Sequence, residues 1–392
     1  MQTMSQTTDT EGGDVLAMLQ GSLQRYLDDH HGFEQRLHAL ARAGDAPPAF
    51  WRGLARDLDL LGAALPAGQG GLGLGLAAHL ALMPVLGAAL ASEPYLSTMV
   101  LCAGLLQRHP SPHADALLHR IVTGQAVVAF AHDEPHSRHD CDGVRTSLSR
   151  QPDGSLLLEG RKAVVQAAPW ASHLIVSARS EGGLSLVVMP ANAPGVRMRP
   201  YPIRDGGRAA EIAFDAVRLS NEALLGTVGG ALAQIEQALD EATLAVCAES
   251  VGVMRRLMRD TLDYVRQRKQ FGVPIGSFQA LQHRLADMHM ALEQAEALTL
   301  SVGDALADDA TPEARARAVS SAKVAVAKAC RAVGQGAVQL HGGMGMTEEL
   351  AVGHYMRRAT LIESQFGGVA WHLRRVARIA SNEQMRARFA AR

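Results

Sequence analysis

The chain has 392 residues, more than one hydrophobic core normally supports, so its length predicts two or three domains. Its 38 Lys and Arg residues nearly balance its 39 Asp and Glu residues, which excludes the strong charge field of a nucleic-acid-binding or membrane-surface protein. No apolar run reaches the ~18 residues that a transmembrane helix requires, so we expect no membrane partner.

Cysteine usage and the N-terminus indicate a reducing cytoplasm. Residues 1–13 are polar and acidic and lack the basic and apolar regions of a secretory signal, so we expect a disordered lead-in. Because the cysteines lie far apart and form no Cys-x-x-Cys pair, we expect neither a disulfide framework nor a metal site. The four cysteines are Cys102, Cys141, Cys247 and Cys330.

The first half of the chain changes from a helical to a strand pattern. Residues 14–126 have a helical pattern and predict an N-terminal helical domain. A glycine-rich loop at 66–73 interrupts it, but lacks the Lys-Ser/Thr that follows a nucleotide-binding loop. Residues 127–222 alternate with period two between turn sequences, which predicts a mostly antiparallel middle β-domain. The predicted strands are Val127–Ala131, Leu156–Glu159, Leu174–Val176, Leu184–Met189 and Ile212–Phe214.

Residues 223–392 predict a C-terminal helical bundle. Apolar residues recur every three or four positions through 244–265 and again through 278–298, as expected of two long helices. A third helix, with Pro312 in its first turn, carries a stripe of small residues over 318–336 that favours close helix packing. The expected fold class is therefore α+β, with a C-terminal four-helix bundle.

Two motifs in the bundle region point to a ligand. Gln339–Gly345 reads Gln-Leu-His-Gly-Gly-Met-Gly, and its glycines allow either a helix stop with a tight turn or close approach of the main chain to a flat ligand. Upstream stands Arg268-Lys269-Gln270-Phe271-Gly272. The planar guanidinium of Arg268 suits a phosphate, and Phe271 offers a stacking face.

These two motifs, in this order and separation, resemble the acyl-CoA dehydrogenase family of flavoproteins. The resemblance extends over residues 50–378. It implies FAD as the cofactor, an acyl-CoA thioester as the substrate, a 2-enoyl-CoA as the product and an electron-transfer flavoprotein as the electron acceptor.

By this resemblance, the two motifs reach across a dimer interface to the FAD of the neighbouring subunit, and a tetramer is expected. The implied cofactor-binding residues are Arg268, Gln270, Phe271, Ile275, Phe278, Leu281, Gln339, Gly342 and Gly343.

The chain departs from the family on the flavin-ring side of the β-domain. The segment Phe130–Pro135 resembles the strand and loop whose Thr bonds the flavin ring, but Asp133 stands in the place of that Thr. Val164 and Gln166 replace an aromatic residue and a Thr that cover the flavin. An anion beside the ring would oppose the negative charge that develops during reduction.

A second departure concerns the catalytic base, which in most of the family is the Glu of an aromatic-Glu-Gly-Thr run. Aligned on Phe366, Gly368 and Arg374, this chain has Gly367 at that position. A shifted register makes Glu363 the candidate catalytic residue, and Glu241 lies near a site that some branched-chain members use. We expect structural roles for His341 and His372.

The run 361–375 resembles the small subunit of pimeloyl-CoA-type dehydrogenases, which are heteromers. The preferred interpretation is an acyl-CoA dehydrogenase subunit active with a second dehydrogenase-like chain. A self-sufficient homotetramer, a diverged flavin oxidase and a non-catalytic subunit that completes a partner's FAD site are the alternatives.

Overall fold

The computed structural model describes residues 2–41, 44, 46–91, 94–307 and 310–390. These residues form two compact units, one drawn from the ranges 1–79 and 92–242 and the other from 80–91 and 243–392. None of the described helices combines the length and apolar character that a membrane crossing needs.

The N-terminal region is helical, as predicted, but its helices begin earlier than expected. Residues 2–13, predicted as a disordered lead-in, belong to the first helix. Leu23 and Leu27 are buried on that helix, and a helix anchored in this way extends at a gain of one hydrogen bond per residue. The helices are α1 (Gln2–His30), α2 (Phe33–Ala41), α3 (Ala49–Arg56), α4 (Gly75–Ala88), a π-helical segment (Leu96–Ala103), α5 (Gly104–Arg108) and α6 (Pro112–Val122).

The middle region is a sheet of eight strands. They are β1 (Val128–Ala131), β2 (Ser147–Arg150), β3 (Leu156–Gln166), β4 (His173–Ser180), β5 (Gly183–Pro190), β6 (Val196–Pro202), β7 (Arg208–Leu219) and β8 (Leu224–Leu225). The order is β6-β7-β3-β2-β4-β5-β8, with β1 paired to β4. All pairs are antiparallel except β1 with β4 and β2 with β4, which are parallel.

The five predicted strands coincide with β1, β3, β4, β5 and β7. The prediction missed β2, whose only buried residue is Leu148, and β6, an edge strand that exposes its arginines. β2 has a single apolar residue in four, and β6 contains Pro200 and Pro202, which weaken a strand pattern. The sheet runs slightly past the predicted boundary at 222, and the division into three domains remains a prediction.

The C-terminal region is a helical bundle, and the predicted α+β class is confirmed. The elements are α7 (Leu232–Gln267), a short hairpin of β9 (Lys269–Gln270) and β10 (Val273–Pro274), α8 (Gln279–Ala307), α9 (Pro312–His341), α10 (Ala351–Ser364) and α11 (Val369–Ala390). Helix α9 packs against α8, α10 and α11. The small residues of α9 permit this, since a Cβ at Gly336 would lie 2.5 Å from Sδ of Met288 on α8.

A buried ion pair joins α7 to α10. Nε and Nη2 of Arg358 donate to the two carboxylate oxygens of Glu249 at 2.5 and 2.6 Å. The two side chains are 3 % and 0 % exposed. Removing one member of such a pair leaves an uncompensated charge in the core.

We therefore expect Arg358→Ala to lower the free energy of unfolding by about 3–5 kcal/mol. The matched control is Arg357→Ala, because Arg357 is the neighbouring residue and pairs with the exposed Glu348, a loss of about 1 kcal/mol or less. Denaturant unfolding followed by circular dichroism measures both. Equal losses for the two variants would contradict the importance of the buried pair.

Candidate functional site

The Arg268 motif forms the hairpin that follows α7. The Arg268 amide still donates to the Tyr264 carbonyl at 2.8 Å, so the hairpin continues directly from the helix. Phe271 and Gly272 join the strands with φ angles of +53° and +81°, as in the two-residue turns that favour glycine. This turn leaves the Phe271 side chain 93 % exposed at the hairpin tip.

The hairpin presents a cation and an aromatic edge to solvent. Within the described residues, nothing pairs with the exposed Arg268 guanidinium. Phe271 meets Phe278 edge to face, with ring centroids 6.2 Å apart. Gln270 is exposed and donates to the carbonyl of Lys269 at 2.8 Å.

Ile275 and Leu281 are half-buried behind the hairpin. An open pocket of about 400 Å³ lies beside them and could take an apolar ring. It is lined by Leu262, Val265, Arg266, Pro274, Gly276, Gln282 and Leu285.

The glycine motif ends α9. Gly342 adopts φ +63° and ψ −145°, a conformation that strongly favours glycine, and opens a short turn over Gly342–Met346. The space beside Gly342 and Gly343 is open, and Gln339 is exposed on the last turn of α9. A flat ligand could therefore approach this backbone closely.

Tyr264 brings the two motifs together. Its ring stacks on that of His341 with centroids 4.3 Å apart and planes inclined by 25°. The Tyr264 hydroxyl also donates to the His341 carbonyl at 3.4 Å. Because Tyr264 is one helical turn before Arg268 and His341 directly precedes Gly342, the arginine hairpin and the glycine turn form one exposed feature. These contacts support the structural role expected of His341.

Three residues differ from the family on the side expected to face the flavin ring, and all three lie at one end of the sheet. They are Asp133, Val164 and Gln166. The Asp133 carbonyl accepts a hydrogen bond from the Ala163 amide at 2.8 Å, which fixes the end of β1 against β3. Val164 lies in a bulge of β3, with φ +51° and 53 % exposure, and Gln166 ends the strand. Burial raises the pKa of the Asp133 carboxyl, and nearby cations offset only part of this effect.

A buried polar network lies under this end of the sheet. The fully buried Lys162 ammonium donates to Glu134 Oε1 at 2.8 Å, to the His132 carbonyl at 2.9 Å and to Ser177 Oγ at 3.2 Å. Burial lowers the pKa of Lys162 to about 8, although Glu134 opposes this change. Burial alone would raise the pKa of Glu134, but Lys162 and hydrogen bonds from Thr146 lower it to about 2.

Sequence reasoning did not identify this network, although a signal was present. Lys162 has the same parity along β3 as the buried Leu156 and Leu158, so the period of two places its side chain on the core face. A buried lysine requires a partner, and Glu134 supplies it.

The loop at the family's base position cannot hold a side chain as it stands. Phe366 and Gly367 have φ angles of +57° and +110°. A Cβ at Gly367 would lie 2.8 Å from Cε3 of Trp371 and 3.2 Å from Nε2 of His372. The aromatic ring of Trp371 thus fills the space beside residue 367.

Each of the two candidate carboxylates is bound to an arginine. Glu363 accepts hydrogen bonds from Nε of Arg331, at 3.3 Å, and from its Nη2. Glu241 pairs with Arg108 and accepts a hydrogen bond from Gln237 at 3.0 Å. Both ion pairs occupy carboxylate oxygens, which opposes a role as a proton acceptor.

Helix α9 forms hydrogen bonds with both helices that flank the loop at Gly367. The buried Lys323 ammonium donates to the Ile362 carbonyl in the last turn of α10. A cation at this position interacts favourably with the negative end of the helix dipole. One turn earlier, Ser320 Oγ lies 3.1 Å from Nδ1 of His372 and accepts a 3.4 Å hydrogen bond from Arg375, both on α11. These contacts support the structural role expected of His372.

In the described part of the chain, no group of three His, Cys, Asp or Glu side chains is placed to hold a metal ion.

The lowered pKa of the buried Glu134 predicts that the folded protein loses stability in acid. Because its folded-state pKa is about 2, below the unfolded value of 4.5, its contribution to stability is present above pH 4.5 and is lost as the pH falls through about 2. We expect this group to remove about 3 kcal/mol of unfolding free energy over that interval, and Glu134→Gln to lack this part of the slope.

The control is Glu159→Gln, an exposed position on β3, which should leave the slope unchanged. Unfolding titrations at several pH values measure both variants. A Glu134→Gln protein that retains the full acid slope would rule out this assignment.

Comparison with known proteins agrees with the geometry. Residues 129–217 match the family described as acyl-CoA dehydrogenase, middle domain, and residues 229–380 match acyl-CoA dehydrogenase, C-terminal domain. Subunit CarC of the caffeyl-CoA reductase–Etf complex of Acetobacterium woodii is 31 % identical over 270 residues, covering 66 % of this chain and 70 % of that protein.

Two solved structures are similar over nearly their whole length. A variant of the steroid ACAD Tcur3481–Tcur3483 is 30 % identical with a TM-score of 0.84, covering 95 % of this chain and 99 % of that one. The ChsE4–ChsE5 complex from Mycobacterium tuberculosis is 26 % identical with a TM-score of 0.85, covering 93 % and 97 %. Together with the two domain matches, these similarities show that the chain belongs to the acyl-CoA dehydrogenase family.

Proposed function

We propose that this chain is one subunit of a heteromeric, FAD-dependent acyl-CoA dehydrogenase, in which a second dehydrogenase-like chain supplies the catalytic base. The observation that carries the proposal is the loop at Gly367. The family's base position has no side chain here, and the Trp371 ring fills the space where a Cβ would lie. The assembly that we propose is an α2β2 tetramer.

The reaction explains why a missing base matters. Dehydrogenation of an acyl-CoA removes a proton from Cα and a hydride from Cβ, and gives a trans-2-enoyl-CoA. A bound FAD would supply the acceptor for the hydride, and an electron-transfer flavoprotein would take the electrons. The proton requires a carboxylate held free near the substrate, a role that typically contributes about 10²–10⁴-fold to the rate.

The residues of this chain are suited to holding a neighbour's cofactor. Arg268 offers an exposed guanidinium to the pyrophosphate, and Phe271 offers a ring face to the adenine or the flavin. The backbone at Gly342 and Gly343 has open space beside it, with Gln339 nearby, so a flat ligand could approach it closely. Tyr264 fixes these groups relative to one another, so they act as one unit toward a partner's FAD.

The similar proteins support a heteromer and an electron-transfer partner. The ChsE4–ChsE5 structure is a complex of two named chains, and the steroid ACAD also carries two names. The relative from Acetobacterium woodii is a subunit of a reductase–Etf complex. A non-catalytic role within such a heteromer is favoured by the arginines that bind Glu363 and Glu241.

The cofactor assignment is tested with Arg268→Ala. One charge-assisted hydrogen bond to a phosphate contributes about 1.5–3 kcal/mol, so we expect FAD affinity to fall about 10- to 150-fold. The control is Arg259→Ala, because Arg259 is on α7, the helix that leads to Arg268, is exposed and already faces Asp260 at 3.8 Å. Flavin content after gel filtration and a flavin titration measure the effect. Unchanged affinity in Arg268→Ala would remove Arg268 from the site.

The missing base is tested by comparing the chain alone with the heteromer. We expect the lone chain to be about 10²–10⁴-fold slower toward acyl-CoA than the heteromer, which light scattering should show to be a tetramer. Glu363→Gln should leave the rate of the heteromer unchanged, as should Glu313→Gln, an exposed control carboxylate paired with Arg386.

Two results would overturn this proposal. One is rapid turnover by the lone chain that Glu363→Gln abolishes while flavin stays bound, which would identify Glu363 as the base. The other is a monomer in the presence of the second chain, because the exposed motifs then have no neighbour to reach.

A further inference from the structure

The pocket beside the arginine hairpin has no role in the proposed function. It lies between the end of α7 and the start of α8 and has a volume of about 400 Å³. Small-molecule sites have volumes of about 300–1,000 Å³, so this pocket suits a small ligand. None of the described residues assigned to FAD lines it.

The pocket has an aliphatic floor and a polar rim. The floor includes Val265 on α7 and Leu285 on α8, which are 1 % and 9 % exposed. The rim carries the exposed side chains of Arg266 and Gln282. Aliphatic surface is supplied by Leu262, Val265, Pro274 and Leu285.

The wall formed by residues 274–276 is held in place by short contacts. Ser277 Oγ donates to the Pro274 carbonyl at 2.7 Å, and Gln282 Nε2 donates to the Gly276 carbonyl at 3.0 Å. A Cβ at Gly276 would lie 3.2 Å from the Val265 carbonyl oxygen, so this turn packs closely on α7. A wall fixed in this way loses little conformational entropy when a ligand binds.

The polar groups at the rim favour an anion. Among the described residues that line the pocket, Arg266 is the only charged side chain. Its Nη1 lies 3.8 Å from Oδ1 of Asp263, which is too long for a hydrogen bond. The guanidinium carries five N–H donors in a fork that matches a carboxylate. Gln282 uses one amide hydrogen for Gly276 and has a second to donate.

We infer that this pocket binds an aliphatic monocarboxylate, a short- or medium-chain fatty acid whose chain lies on Val265 and Leu285 and whose carboxylate binds Arg266. An aliphatic chain fits better than an aromatic ring, because the lining offers no ring for stacking. Neither FAD nor turnover is required for this binding.

The bound acid would also stabilise the hairpin. The Ile275 amide, in the wall of the pocket, donates to the Arg268 carbonyl at 2.8 Å. A ligand that fixes this wall thus limits the motion of the residue that we propose for FAD binding.

The test is isothermal titration calorimetry of the assembled, full-length protein with three probes. Octanoate has both the chain and the carboxylate, 1-octanol has the chain alone, and acetate has the carboxylate alone. We expect saturable binding of octanoate. Binding of 1-octanol and of acetate should be at least about tenfold weaker, because each lacks one of the two contacts.

Two variants separate the floor from the rim. Arg266→Ala should weaken octanoate binding about tenfold or more and leave 1-octanol binding unchanged, because only the partner of the carboxylate is lost. Gln282→Trp should abolish the binding of both probes, because an indole ring at this exposed position fills the pocket. The matched control is Arg259→Ala, an exposed arginine of α7 outside the lining, which should bind octanoate as the wild type does. Circular dichroism checks that each variant is folded.

Three results would rule out this site. They are the absence of saturable octanoate binding at millimolar concentration, equal octanoate affinity of Arg266→Ala and Arg259→Ala, and wild-type affinity in Gln282→Trp. An unchanged FAD affinity in Arg268→Ala would contradict the proposed FAD contact and leave this site unaffected.

Discussion

The proposed role of this chain depends on one steric constraint, the filled space beside Gly367. The loop that carries the base in most of the family here places two successive residues at positive φ and packs Trp371 where a side chain would begin. Lys323 and Ser320, one turn apart on α9, hold the flanking helices. Because both anchors are buried, moving the loop to admit a carboxylate would break hydrogen bonds in the bundle core.

Unlike the filled space at Gly367, the hairpin at Arg268 and the glycine turn at Gly342 are open to solvent. Phe271 is almost fully solvent-exposed, and the backbone at Gly342 and Gly343 has open space beside it. The stacked rings of Tyr264 and His341 hold the two motifs together. In this subunit the space at the base position is filled, whereas the two motifs are exposed. Such a subunit is suited to completing the FAD site of another chain.

In the β-domain, a buried ion pair stabilises one end of the sheet. Lys162 and Glu134 form this ion pair within the sheet. Because this ion pair requires an ionised Glu134, protonation of Glu134 in acid should weaken this end of the sheet.

The sequence by itself determined the order of helical, strand and helical regions, because periodicity follows directly from which faces are buried. It also determined the two motifs and the glycine at residue 367, since a residue without a side chain cannot be a base in any fold. Tertiary structure alone decided that Tyr264 joins the motifs, that Trp371 fills the space at Gly367 and that Arg331 and Arg108 bind the candidate carboxylates. These contacts connect residues distant in sequence, and whether a carboxylate is free or paired depends on such neighbours and not on its own identity.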